Sequence, residues 1–318
     1  MLQSTNLEAL VADIRHQAGK RDAHVGVSLI HLESGEQADF NGDDLFPLAS
    51  TYKIPMAAAA LSYVDRGELT LGQMFDIPDE ARVVSSVITE NMPHPGISLS
   101  LHNIMDLMMR ESDNTATDVL LRIINGPEGV TAWLRQAGIE GLRVDRSTAQ
   151  LLRQFAGLPE PGDQISFVDQ AAALDGDPRL QTYFTDGSGE AYRKFVKDPQ
   201  DQGTPNAMSR LLAGLWRGQL LSPESTRALQ EIMLRCETGN ARLKGRLPDS
   251  TPVAHKSGTV AGTVNDVGVI TLPGESGHLV ISVYVKNAVG ERDEYERLIA
   301  DISRTAYDYF VAENSSQR

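Results

Sequence analysis

Apolar positions recur at helical spacing from Asn6 to Gly19, through Leu7, Leu10, Val11, Ile14 and Ala18, and the run ends on glycine, which predicts an amphipathic helix. The pattern then changes. Val25 to Leu32 reads as a strand, Glu33-Ser34-Gly35-Glu36 as its turn, and Ala38-Asp39-Phe40 as a short second strand. An alanine-rich helix follows, opening near Ser50 and running through Leu61. From about Ala49 to Gly203 strand patterns are scarce and helical runs such as His102 to Arg110 dominate, with methionines that read as core filler. Thr204-Pro205 and Ser222-Pro223-Glu224 each open a further helix, with a hydroxyl cap and proline in the first turn. Three strands return at Val253 to Thr259, Val264 to Leu272 and His278 to Val285, as an antiparallel meander with glycine-rich turns. A last helix spans roughly Asp293 to Phe310, and the tail from Glu313 to Arg318 is expected to fray.

Helix and hairpin at the start match strands and helix at the end. The predicted fold is therefore α/β, more closely α+β: an antiparallel sheet flanked by terminal helices, formed by residues 1–48 and 204–318, with 49–203 inserted as an all-α lobe. The groove between the lobes is the natural site.

Composition narrows the partners. A chain of 318 residues with 41% hydrophobic and 23% charged content suits a globular protein with a substantial core. The net charge of -14 argues against nucleic acid and anionic membranes, which call for a basic face. No apolar run reaches the length of a membrane span, and Met1 to Glu8 lacks the basic start and apolar middle of a secretion signal. The expectation is a cytoplasmic protein if the chain is complete, and a periplasmic or secreted one if a leader has been removed. One cysteine, Cys236, excludes an internal disulfide, and His94, His102 and His255 stand in no ligand-like spacing, so neither a metal site nor a cofactor is expected.

Candidate chemistry begins at Ser50-Thr51-Tyr52-Lys53. A spacing of three on a helix puts the Ser50 hydroxyl and the Lys53 ammonium on one face, a nucleophile beside a potential base. An amine kept neutral by burial or neighbouring cations can take the serine proton as it attacks a carbonyl, and the helix N-terminus favours the negative charge that develops. Alone, the pattern fits a capping serine and a surface lysine better. Ser112-Asp113-Asn114 offers a hydroxyl to relay a proton and an amide to orient a substrate, or a plain helix cap. Lys256-Ser257-Gly258-Thr259 offers a cation, a close backbone approach and an oxyanion donor, or a strand edge protected by lysine.

In this order and at these separations the three clusters resemble the penicillin-recognising serine hydrolases, and within them the class A β-lactamases. The resemblance spans nearly the whole chain, including Thr238 to Leu243, Leu247-Pro248 and Thr263-Val264-Asn265-Asp266. It implies Ser50, Lys53, Ser112 and Lys256 as catalytic residues, with Asn114, Ser257, Gly258, Thr259 and Arg242 binding substrate. Arg242 matches an arginine that holds the substrate carboxylate in several members, and a surface helix arginine is the competing reading.

The sequence departs from the family in the omega loop, at about 144–203. The segment from Val144 to Leu152 matches the start of that loop, but Thr148 and Leu152 stand where the family has the glutamate that activates the hydrolytic water and the asparagine that helps hold it. Arg146 and Asp201 match the ion pair that closes the loop. Between them lie about 40 residues more than the family's loop usually has. The insert carries Glu160, Asp163, Asp169, Asp175, Asp177 and Glu190 as candidate bases and Tyr183, Phe184, Tyr192 and Phe195 as candidate pocket walls, or it is a solvated elaboration.

The resemblance thus implies an acyl-transfer hydrolase on a small molecule carrying a carboxylate, above all a β-lactam, equipped for acylation and short of its usual deacylating base. A penicillin-binding or sensor-like protein that stays acylated, or an esterase or peptidase on the same fold, is the alternative.

Overall fold

Strands from opposite ends of the chain build one sheet. In the computed structural model, which describes residues 2–158, 168, 169, 172 and 187–316, β1 (His24–His31) and β2 (Gln37–Phe40) come from the start. β7 (Val253–Val260), β8 (Thr263–Thr271) and β9 (His278–Lys286) come from the end. All pairings are antiparallel in the order β2-β1-β9-β8-β7, with Val27 opposite Val283 at the join.

The period of two along these strands separates two cores. Val25, Val27 and Leu29 of β1 and Leu279, Ile281, Val283 and Val285 of β9 face α1 (Leu2–Ala18) and α11 (Arg292–Ser316), meeting Leu10, Ile14, Leu298 and Ile302. Ile30, Val280 and Tyr284 face the other way, into a larger cluster with Phe46 and the helices of the chain's middle. Each side chain so buried contributes about 1.5–3 kcal/mol. The close fit depends on Gly26, since a Cβ there would lie 2.5 Å from the Phe46 ring.

The second core is organised by α2 (Lys53–Asp65), whose residues Lys53 to Ser62 are buried without a break. A helix apolar on every side must be enclosed, and the alanines at 57–60 let its neighbours approach closely. Those neighbours include α4 (Leu101–Arg110), α5 (Asn114–Ile123), α6 (Gly126–Gln136) and α10 (Pro223–Leu234). Between them lie the short α3 (Val87–Asn91), α7 (Thr148–Ala156) and α8 (Glu190–Phe195). α9 (Pro205–Trp216) lies on β1 and β9, where Ser209 Oγ lies 2.9 Å from Ser282 Oγ and 3.3 Å from the Ser28 carbonyl.

The middle of the chain holds more strand than its pattern predicts. β4 (Met74–Ile77) pairs with β5 (Ile97–Ser100), and β3 (Phe46–Pro47) pairs with β6 (Gln202–Gly203). At two to four residues each, they carry too few alternations to register as a period. The last helix also outruns its prediction, reaching Ser316. Asn6 Nδ2 donates to Glu313 Oε1 at 2.8 Å, so α11 keeps α1 as a partner beyond Phe310. Among the described residues no helix is long and apolar enough to cross a membrane.

Candidate active site

Ser50 does not sit in the α2 helix itself but in a single 3-10 turn, Ala49–Tyr52, that leads into it. The turn is held from below. Asn265 Nδ2 donates to the Pro47 carbonyl at 2.8 Å and to that of Leu48 at 3.2 Å, while Thr51 Oγ1 donates to Leu48 O at 2.7 Å. Ala49 adopts φ 45°, a left-handed conformation that costs a non-glycine residue about 1–3 kcal/mol and persists where surrounding bonds impose it. Strand β7 runs directly against the turn. A Cβ on Gly258 would lie 2.9 Å from Leu48 O and 3.0 Å from Ser50 N, so glycine is required for the approach.

Lys53, at the first position of α2, is wholly buried. Its Nζ lies 2.6 Å from the Ser112 carbonyl, 3.0 Å from Asn114 Oδ1 and 3.2 Å from Ser112 Oγ, and makes no hydrogen bond to Ser50 Oγ. Burial, followed by the charge of Lys256, holds its pKa well below the usual 10.5, against the pull of Asp113 and Asp118. A neutral amine satisfies the three contacts by donating to the carbonyl and the amide oxygen and accepting from the Ser112 hydroxyl.

Ser112 occupies a left-handed position, φ 61°, just before α5. Asp113 is the helix cap, and its buried carboxylate accepts from Ala116 N, Ile88 N and Ser86 Oγ. With that residue fixed, Ser112 and Asn114 on either side turn toward Lys53. Asn114 Nδ2 donates to Val84 O at 3.0 Å, which sets the amide so that its oxygen faces the amine. The centre of this triplet is thus a helix cap, and its flanks line the cavity.

β7 is an edge strand, yet Lys256 does not guard it from solvent, being fully buried. Its Nζ donates to Ser257 O at 2.9 Å. Burial lowers its pKa, Arg242 adds to that, and Cys236 and Asp266 oppose it. Arg242 is 4% exposed and is not a surface arginine. It donates to Gly258 O, Asn265 O and Thr259 Oγ1 and pairs with Glu296 at 3.1 Å.

Ser50, Ser112, Asn114, Arg242, Ser257 and Thr259 open on one cavity of about 390 Å³. The wall also includes Thr148, the position matched to the family's glutamate, together with Tyr52, Thr238, Glu111 and Glu296, to which the sequence reading assigns no role in the site. Thr238 Oγ1 lies 2.7 Å from Ser257 Oγ. Glu111 is paired with Arg110 at 3.1 Å. No motif marks Glu296, because the helix that carries it reaches the cavity only through the tertiary fold.

The loop neck is closed by Arg146 and Asp201, a buried ion pair. Asp201 also accepts from Asp145 N, and Arg146 reaches Asp198 and Gln154. Thr148 lies inside the neck, with its Oγ1 2.5 Å from the Tyr52 hydroxyl. Its backbone N–H and that of Ala149 donate to the buried carboxylate of Asp118, whose pKa burial raises. Leu152 belongs to a third apolar cluster with Phe155, Tyr192 and Phe195. Tyr192 and Phe195 are thus core rather than walls of the Ser50 cavity, and Tyr192 OH lies 3.0 Å from Thr263 Oγ1. Glu190 is exposed and paired with Lys194, and Asp169 is exposed. Glu160, Asp163, Asp175, Asp177, Tyr183 and Phe184 lie outside the described residues.

The model of a beta-lactamase enzyme family matches residues 7–310. Beta-lactamase VEB-1 of Pseudomonas aeruginosa is 29% identical, over 95% of this chain and 90% of its own length. An imipenem-hydrolyzing beta-lactamase of Enterobacter cloacae is 28% identical, over 94% and 88%. Among solved structures, an ancestral class A beta-lactamase superposes with a TM-score of 0.76 at 28% identity, covering 94% of this chain and 99% of that one.

Proposed function

The chain belongs to the beta-lactamase enzyme family and is a β-lactamase-like hydrolase, and from that premise we propose that it opens β-lactams through an acyl-enzyme on Ser50. The observation that carries the reading is a buried lysine of depressed pKa beneath a cavity edged by Ser50 and Ser112. Neutral Lys53 takes the Ser50 proton as Oγ attacks the lactam carbonyl carbon. Backbone N–H groups of the Ser50 turn and of β7 at Thr259 receive the oxyanion. As the C–N bond breaks, the nitrogen takes the Ser112 hydroxyl proton, which the Lys53 ammonium replaces across their 3.2 Å contact. Thr259 and Arg242 on the cavity wall bind the substrate carboxylate, drawn there by the charge of the enclosed Lys256 behind them, with Asn114, Ser257 and the Gly258 backbone aligning the amide.

Deacylation is the slow half. Among the described residues the carboxylates on the cavity wall, Glu111 and Glu296, are each engaged by an arginine. Thr148 presents a hydroxyl already bonded to Tyr52. Among the described residues the group left to activate water is Lys53, which has given its proton back to Ser112 and is neutral again; the alternative base, a carboxylate of the insert such as Glu160 or Asp163, lies outside them. The Thr148 geometry also favours a second reading, a penicillin-binding protein that holds its ligand.

Intact-protein mass spectrometry with excess benzylpenicillin, followed from seconds to hours, tests both. A one-ligand adduct that forms and clears, absent in Ser50→Ala, is the expected result. An adduct that never clears selects the second reading, and hydrolysis retained by Ser50→Ala would remove Ser50 from its role.

A further inference from the structure

Behind β7 lies a group of side chains that the acyl-transfer chemistry does not use. Cys236, His255 and Asp266 are all buried, the last two completely. His255 Nδ1 lies 2.9 Å and 3.0 Å from the two Asp266 carboxylate oxygens. Leu243 N also donates to this carboxylate at 3.2 Å, which fixes it. The other ring nitrogen, Nε2, is enclosed with no hydrogen-bond partner. A buried polar atom left so calls for a reason. The polar group coupled to it electrostatically is the buried Cys236 thiol, whose Sγ lies 3.6 Å from the Thr238 carbonyl and 3.5 Å from Thr238 Oγ1. The order is that of an activated cysteine: thiol, imidazole, orienting carboxylate. None of the three lines the cavity, whose wall carries Thr238 and Ser257 bonded to each other at 2.7 Å, so the buried thiol is unsuited to attack a substrate.

We propose that Cys236 and His255, oriented by Asp266, form a thiolate–imidazolium pair whose anion supports Lys256 as an ammonium, making Cys236 a positioning residue for the substrate carboxylate. The proposal rests on the role given to Lys256 above. Lys256 neighbours His255 on β7 and is wholly enclosed, so its charge depends on fixed anions nearby. Cys236 and Asp266 are the groups that favour that charge, and Arg242 opposes it. Burial works against the thiolate, but His255, Lys256 and Thr238 together hold the thiol at about 6. Burial likewise works against the imidazolium, and Asp266 with Cys236 holds it at about 9. The remaining charges around the group are occupied. Lys244 Nζ donates to the Cys236 carbonyl, Arg242 pairs with Glu296, and on the flanks Arg235 pairs with Asp106 and Arg110 with Glu237.

Because Cys236 is the single cysteine, ultraviolet thiolate absorbance of the intact protein, with Cys236→Ser as blank, titrates this group without any substrate. A step near 6, moved upward in His255→Gln, is expected; a step at or above the ordinary thiol value of about 8.5 overturns the pair. The second arm is the pH profile of acylation by benzylpenicillin. Cys236→Ser should shift its alkaline limb to lower pH by about one unit, with roughly a tenfold loss above that limb, and Cys236→Asp, which restores a fixed anion, should recover it. Coincident limbs in wild type and Cys236→Ser overturn the support of Lys256. A thiol step near 6 with no acylation of the wild type would instead overturn the proposed reaction, and with it this role for Cys236, while the pair itself stands.

Discussion

Thr148 Oγ1 and the Tyr52 hydroxyl lie 2.5 Å apart on the wall of the cavity that holds Ser50. Both groups are hydroxyls, and a hydroxyl is a poor general base toward water. The Thr148 backbone is held in place by Asp118, and a longer side chain at this position projects into the same cavity. Thr148→Glu should therefore speed release of the acyl group by about a hundredfold, the lower end of what a general base supplies. Single-turnover decay of the penicilloyl adduct measures it, and an unchanged rate would mean that the position does not address the ester.

Lys53 gives a prediction with a definite sign. A base must be neutral to act, so acylation should rise with pH and level off well below the usual lysine value of 10.5, since burial and Lys256 depress this pKa. Lys53→Arg, which stays charged at any accessible pH, should lose acylation by at least about a thousandfold while still binding substrate. A profile still climbing at pH 10 would point to a different base.

For Arg242 the fan of four contacts requires a planar fork. Lysine cannot donate to Gly258 O, Asn265 O, Thr259 Oγ1 and Glu296 together. Arg242→Lys should raise KM for benzylpenicillin roughly tenfold, and also lower the melting temperature, because carbonyls of β7 and β8 lose their donor. Loss of substrate affinity with unchanged stability would separate the two roles.

The Cys236–His255 pair makes stability depend on pH in two opposed ways. His255 titrates at about 9 in the folded state against 6.5 as a free group, so its contribution is full below 6.5 and is lost as pH rises through 9. Cys236 titrates at about 6 against 9.0, so its contribution is full above 9 and is lost as pH falls through 6. The two slopes offset each other in the wild type. Cys236→Ser leaves the histidine term alone, and its melting temperature should fall more steeply than the wild type's between pH 6.5 and 9. Parallel melting curves across that range would show that the histidine is not charged.

The elements that carry the chemistry were legible because each is long or locally encoded. An alanine run with no polar face marks α2, and Lys256-Ser257-Gly258 stands inside an eight-residue strand. What escaped depends on contacts far apart in sequence. Cys236 and His255 are 19 positions apart and follow no ligand spacing; their neighbourhood exists only because the segment after α10 folds against β7. Glu296 and Thr238 reach the cavity in the same way. Tyr192 was misread for a related reason: an aromatic in a long loop signals burial but not its direction, and here it faces Thr263 of β8.

Pairing β1 with β9 has a consequence for the order of synthesis. The register joins Val27 to Val283, so β1 leaves the ribosome long before its central partner exists, and contacts of such sequence separation form slowly. Until β9 arrives, the apolar faces of β1 have one short neighbour, β2, and the Asn265 bonds that shape the Ser50 turn have no closed sheet behind them. Ser50, encoded in the first sixth of these 318 residues, gains its geometry only after β9 has been made.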